Sequence, residues 1–107
     1  MQISIETAYT PKGDYELVLE GEYKDGSPAF SVYNNGEHMF RATVCVDMPP
    51  ENGNIIIKDW SENEGVYQAL LDAGIINESV KTHHTGFVEA FECPLTDKVK
   101  NHFEIEA

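Results

Sequence analysis

The stretch Asp14-Tyr-Glu-Leu-Val-Leu-Glu-Gly-Glu-Tyr-Lys24, closed by Asp25-Gly26, decides the fold. Tyr15, Leu17, Leu19 and Tyr23 alternate with Glu16, Val18, Glu20 and Glu22, which is the period-two signature of a strand buried on one face. Asp25-Gly26 is a strong hairpin signal, because both residues accept the positive φ that a tight turn requires.

Working outward, the same logic builds more hairpins. Upstream, Ile3, Ile5 and Tyr9 share one face of a first strand, and Thr10-Pro-Lys-Gly-Asp14 supplies turn chemistry. Downstream, residues 30–33 form a third strand that Asn34-Asn35-Gly36 ends. A fourth, residues 38–46, sets His38, Phe40, Ala42, Val44 and Val46 against Met39, Arg41, Thr43 and Cys45. Residues 48–54, with two adjacent prolines, read as a loop. Ile55-Ile-Ile-Lys58 is a brief apolar strand.

One helix is expected over residues 62–73. Ser61-Glu-Asn-Glu64 fits a capping box, and Val66, Tyr67, Ala69, Leu70, Leu71 and Ala73 form its buried stripe. Gly74 stands at the C-terminal cap. Trp60 is expected to pack the start of this helix against the sheet. Residues 80–85 and 87–95 are two further strands, and Thr96-Asp97 suits a last helical turn or two with Val99 and Phe103 facing inward. The tail, residues 104–107, is expected to fray. The fold class is α+β: an antiparallel, hairpin-rich curved sheet packed against one main helix, with a short C-terminal helix. At 107 residues the chain fits a single domain, 1–107.

Charge limits the function classes. Nineteen acids against seven bases leave a net charge of −12. Such a field disfavours direct binding to nucleic acid and to anionic membranes, which need Lys and Arg, and it speeds encounter with basic protein surfaces. Acidity also serves solubility, and that second reading stays open. No apolar run approaches the ~20 residues of a membrane span, and no basic-then-apolar signal precedes the first strand. The expected location is the cytoplasm, where Cys45 and Cys93 would be free thiols packed as small apolar groups.

The chemical motifs are absent. Cys45 and Cys93 are solitary, and His83-His84 are adjacent, so a strand sends their side chains to opposite faces. No spaced zinc-ligand pairs, nucleophile elbow, phosphate loop or dinucleotide fingerprint occurs. No catalytic residue, metal ligand or cofactor is assigned, and the expectation is a protein that is not an enzyme. Tyr9, Tyr15, Tyr23, Phe30, Tyr33, Phe40, Phe87 and Phe91 read as sheet core.

What remains is the arrangement of acids. Glu20 and Glu22 would project from one strand face about 6.6–6.8 Å apart, with Glu16 further along and Asp14 and Asp25 at the hairpin ends. A stiff row of anions is spaced as a phosphate backbone is.

Ile57-Lys-Asp-Trp-Ser-Glu-Asn-Glu-Gly65, Ala69-Leu70, Ala73-Gly-Ile-Ile76, and Gly86-Phe-Val-Glu89 through Cys93-Pro-Leu95 resemble a family of small uncharacterised bacterial proteins carried on conjugative elements and phages. Ala42-Thr-Val44 and Val46-Asp-Met-Pro49 echo it more weakly. Trp60 stands where that family has tyrosine and Asp47 where it has asparagine. The resemblance spans about half the chain and carries no activity across. It implies a mobile-element context, in which small acidic proteins disarm host nucleases.

The functional expectation is therefore a non-enzymatic acidic inhibitor, a nucleic-acid mimic. Its partner would be a basic nucleic-acid-binding protein or complex of host defence, of CRISPR or restriction type. Asp14, Glu16, Glu20, Glu22 and Asp25 are its expected contacts, with Asp59 and Glu62 as a second cluster. The alternatives are a small-molecule- or metal-binding module built on His83, His84 and His102, and an accessory protein of a mobile element with no inhibitory role.

Overall fold

The computed structural model describes residues 1–51 and 53–105; Asn52 and residues 106–107 lie outside the described residues. In chain order the elements are β1 (Gln2–Ile5), β2 (Gly13–Glu22), β3 (Pro28–Asn34), β4 (Glu37–Arg41), β5 (Asn54–Ile57), a 3-10 turn (Ser61–Asn63), α1 (Val66–Asp72), β6 (Lys81–Thr85), β7 (Val88–Pro94) and α2 (Asp97–Phe103). The α+β class and the antiparallel pairing are as expected. The single curved sheet is instead two, ordered β1-β2-β3-β4 and β5-β7-β6.

Residues 42–44 join the two sheets. The strand expected over 38–46 ends at Arg41, yet Ala42 still donates to Phe30 O at 2.9 Å, while Lys58 donates to Ala42 O and Val44 to Ile56 O, both at 3.0 Å. Thr43 bridges to Ile57, and its hydroxyl accepts the Phe30 amide at 3.0 Å. The chain thus leaves one ladder and enters the next within three residues.

One core fills the space between the sheets. Ile3, Ile5, Tyr15, Leu17, Phe30, Val32 and Phe40 face it from the first sheet, and Ile55, Ile57, Cys93 and Leu95 from the second. Val66, Ala69 and Leu70 of α1, Ile75 and Ile76, and Val99 of α2 complete it. The edge of the Phe103 ring meets Phe30 at 5.3 Å between centroids. Tyr9 lies past the end of β1 and is exposed, so it leaves the face assigned to it. Phe87 is also exposed and is no core residue.

The helices depart from expectation at one place. Each has seven residues, so neither is the main one. The Ser61–Glu64 capping box does not form: Ser61 has φ 55 and Gly65, the N-cap of α1, has φ 90. The chain makes a 3-10 turn and a left-handed step before the helix begins. Asp59 does the capping instead, its Oδ1 accepting the Tyr67 amide at 2.8 Å. Trp60 is half-buried there with Lys58 Nζ 5.8 Å from its ring centroid. The tail does not fray at its start, since Ile105 donates to Lys100 O at 2.8 Å and closes α2.

Candidate functional site

The seven expected contact carboxylates do not form one row. Glu20 is the extra residue of a bulge, because Leu19 pairs with Phe30 and Gly21 with Ala29. The bulge reverses the phase of the strand. Glu22 pairs with Pro28 and falls in step with Leu19, on the side opposite Glu16 and Val18. Strand alternation read from sequence assumes an unbroken ladder, and one inserted residue turns everything beyond it to the other face.

Most of these acids already have work within the fold. Asp14 accepts a hydrogen bond from Ser4, and Glu16 holds the N-terminal amine at 2.9 Å. Glu20 accepts from Tyr33 Oη at 2.8 Å and pairs with Arg41 at 3.4 Å. Hydrogen bonds from Ser31 and Tyr33, with Arg41 beside them, hold its carboxyl below the usual range. Asp25 accepts the Ser27 amide at 2.8 Å and hydroxyl at 2.5 Å within its turn. Asp59 caps α1, and Glu62 pairs with Lys58 four residues earlier, which lowers its pKa. Among the described residues Glu22 alone of the seven has no polar partner of this kind.

Glu22 and Asp25 instead line a cleft of about 700 Å³ with the β2–β3 turn, Pro50, Glu51, Gly53 and Asn54, and the end of α2. Glu51 and Glu104 join them on its rim, and Leu19, Pro28, Pro50, Phe103 and Ile105 give it apolar walls. No described Lys, Arg or His lines it. Asp14 and Glu16 border a separate, shallower hollow with Gln2, Val18 and Tyr33. The structure therefore gathers Glu22 and Asp25 with two acids that sequence reasoning left aside. Glu51 and Glu104 sit 29 and 82 residues from Glu22 in the chain (51 − 22 and 104 − 22), and no local pattern links them.

Behind the cleft wall lies a buried carboxylate hydrogen-bonded to a histidine. Glu92, 1% exposed, receives His83 Nε2 on one oxygen at 2.7 Å, and His83 is itself 7% exposed. The other oxygen accepts the Glu51 amide at 3.0 Å and Asn54 Nδ2 at 2.8 Å. Burial would raise this carboxyl's pKa, but the hydrogen bonds from Asn54, His83 and Glu51 outweigh it, and the net shift is downward. In register, Lys81 opposes Glu92 and His83 opposes Ala90, so Glu92 and His83 are diagonal neighbours on one face. The loop that lines the cleft is thus tied to a charge inside the protein.

The other candidates disperse. His84 is exposed, 3.8 Å from Glu89, on the face opposite His83. His102 is on α2 against Phe103. The three histidines of the alternative ligand site do not meet, and the described residues contain no group of three or more His, Cys, Asp or Glu placed to hold a metal ion. Cys93 is a buried free thiol whose pKa burial pushes up to about 12. Cys45 is exposed, not packed as expected. Among the described residues no helix is long and apolar enough to cross a membrane. No family model, curated protein or solved structure matches the chain.

Proposed function

We propose that the protein is a non-enzymatic acidic binding protein that receives a basic segment of a partner protein in the cleft lined by Glu22, Asp25, Glu51 and Glu104. The observation that carries this is the composition of the cleft: four carboxylates over apolar walls, with no described cation among its residues. Lys and Arg match such a lining twice, the charged head meeting carboxylates and the aliphatic stem lying along Leu19, Pro28 and Phe103. The net charge of −12 steers such a partner in. Nucleic-acid-binding proteins are the class richest in such surfaces, and occupying one would inhibit it. The resemblance of residues 57–65 and 86–95 to mobile-element proteins agrees with a host target of this kind. The contacts are a cleft, not a strand-borne row, so mimicry rests on charge and not on phosphate-like spacing.

The test is binding of a basic amphipathic peptide, followed by calorimetry. Glu22→Lys with Asp25→Lys should weaken binding by tenfold or more, and Asp14→Lys with Glu16→Lys by much less. Raised salt should weaken the wild-type interaction. Equal loss in the two double variants would place binding on general charge, not on the cleft.

A further inference from the structure

Glu92 takes no part in the cleft surface, yet it holds two residues that do. It is 1% exposed and lies outside the cleft lining, so no occupant of the cleft touches it. One of its oxygens, Oε2, accepts the Glu51 amide at 3.0 Å and Asn54 Nδ2 at 2.8 Å, and both of those residues line the cleft. Its other oxygen is fixed from behind by His83 Nε2 at 2.7 Å.

The backbone offers this loop little other anchorage. Pro49 and Pro50 have no N–H, so the amide of Glu51 is the first after Met48 that can tie the chain down. The Asn54 amide is spent within the loop, on Glu51 O at 3.0 Å. Opposite Asn54 in the ladder stands Pro94, which has no N–H to give it. At this corner the sheet grips the loop through a carboxylate oxygen and not through its ladder. Replacing a whole buried ionic cluster by apolar side chains is commonly neutral or stabilising, so stability alone does not account for one. What a carboxylate oxygen does better is take two donors from set directions, which fixes where those donors lie.

We infer that Glu92 is a positioning residue for the cleft, a role that rests on the cleft being the binding site proposed above. It sets where the Glu51 carboxylate meets a bound cation and touches no cation of the partner itself. Positioning is separable from charge. Glu92→Asp keeps the charge but withdraws the carboxylate by one carbon–carbon bond, about 1.5 Å, too far to hold Glu51, Asn54 and His83 together. Glu92→Gln removes the charge but keeps the reach. Its carboxamide oxygen accepts from Glu51 and Asn54, and its NH2 group donates to the neutral tautomer of His83.

Calorimetry with an amphipathic peptide of lysine and leucine, at a temperature below the melt of every variant, tests this. Glu92→Asp should weaken binding by about fivefold or more, the scale of one hydrogen bond. Glu92→Gln, the variant of the same shape, should restore it to within about twofold of wild type. Asn54→Asp should weaken binding although it adds a carboxylate to the lining, because it faces Glu92 with a like charge; it serves if Glu92→Asp does not fold. In a Glu51→Ala background the Glu92→Asp loss should shrink to within about twofold, since the side chain that Glu92 positions is gone. A Glu92→Asp variant that binds as wild type overturns the inference, and so does a Glu92→Gln variant that loses as much as Glu92→Asp. Stronger binding by Asn54→Asp overturns it too, as does a loss undiminished by Glu51→Ala, which would make Glu92 structural only. Failure of the cleft reading looks different: wild type does not bind the peptide, or Glu22→Lys with Asp25→Lys binds it unchanged, and this role falls with it.

Discussion

Glu92 is a charge taken out of water, and the fold must hold it or lose stability. Its partners come from three elements: His83 from β6, Asn54 from β5, and the Glu51 amide from the loop. Replacing it by Leu, which is close in size but accepts nothing, leaves those three donors without their acceptor. The expected loss is about 2–4 kcal/mol by urea unfolding, given about 1–3 kcal/mol per orphaned buried group with some rescued by water. The pH dependence has a definite sign. Because Glu92 has a lowered pKa in the fold, it binds fewer protons folded than unfolded in the acid range. Its contribution is whole above the unfolded carboxylate value of about 4.3 and is lost as pH falls through the folded one. Wild type should therefore lose more stability than Glu92→Leu between neutral and acid pH; parallel curves would refute the assignment. Sequence alone gave little warning of this residue, since Phe-Glu-Cys in a strand looks like any acid on a solvated face. Its buried partners, the Glu51 amide, Asn54 and His83, come together only in the folded chain.

At the level of elements, the hairpins, the short α2 after Thr96 and the buried stripe of α1 were legible, and the start of α1 was not. Asn34-Asn35-Gly36 closes β3 to β4, and Asp25-Gly26 closes β2 to β3, as their local chemistry requires. A turn is satisfied within four residues, so its signal is local. The bulge at Glu20 breaks the alternation, and its local mark is Gly21, a glycine inside the strand at φ 126, which period-two reading passes over. α1, at seven residues, is far below the ~12–15 at which an isolated helix holds in water. It exists because Val66, Ala69 and Leu70 are packed. Leu70→Ala should accordingly remove about 2–5 kcal/mol, a large share of a total that is typically about 5–15 kcal/mol. Circular dichroism during chemical unfolding would register this as an earlier midpoint. A variant that melts with wild type would mean α1 is held by its caps instead.

For the whole molecule, the dominant quantity is a net charge of −12, which opposes compaction by self-repulsion. The Glu16–amine, Glu20–Arg41 and Glu62–Lys58 pairs are surface pairs screened by solvent and do not offset it. Adding salt to a dilute buffer should therefore raise Tm, as measured by calorimetry at protein concentrations too low for association. A fall in Tm would show that the internal pairs outweigh the repulsion. What the residues determined unaided was the α+β class, the antiparallel hairpins and the sign of the field, because periodicity, turn chemistry and charge are properties of short segments or of the total. The cleft and the buried Glu92–His83 pair were decided by tertiary structure alone. Each depends on groups far apart in the chain meeting, and those outcomes are settled only when the sheets close over the core.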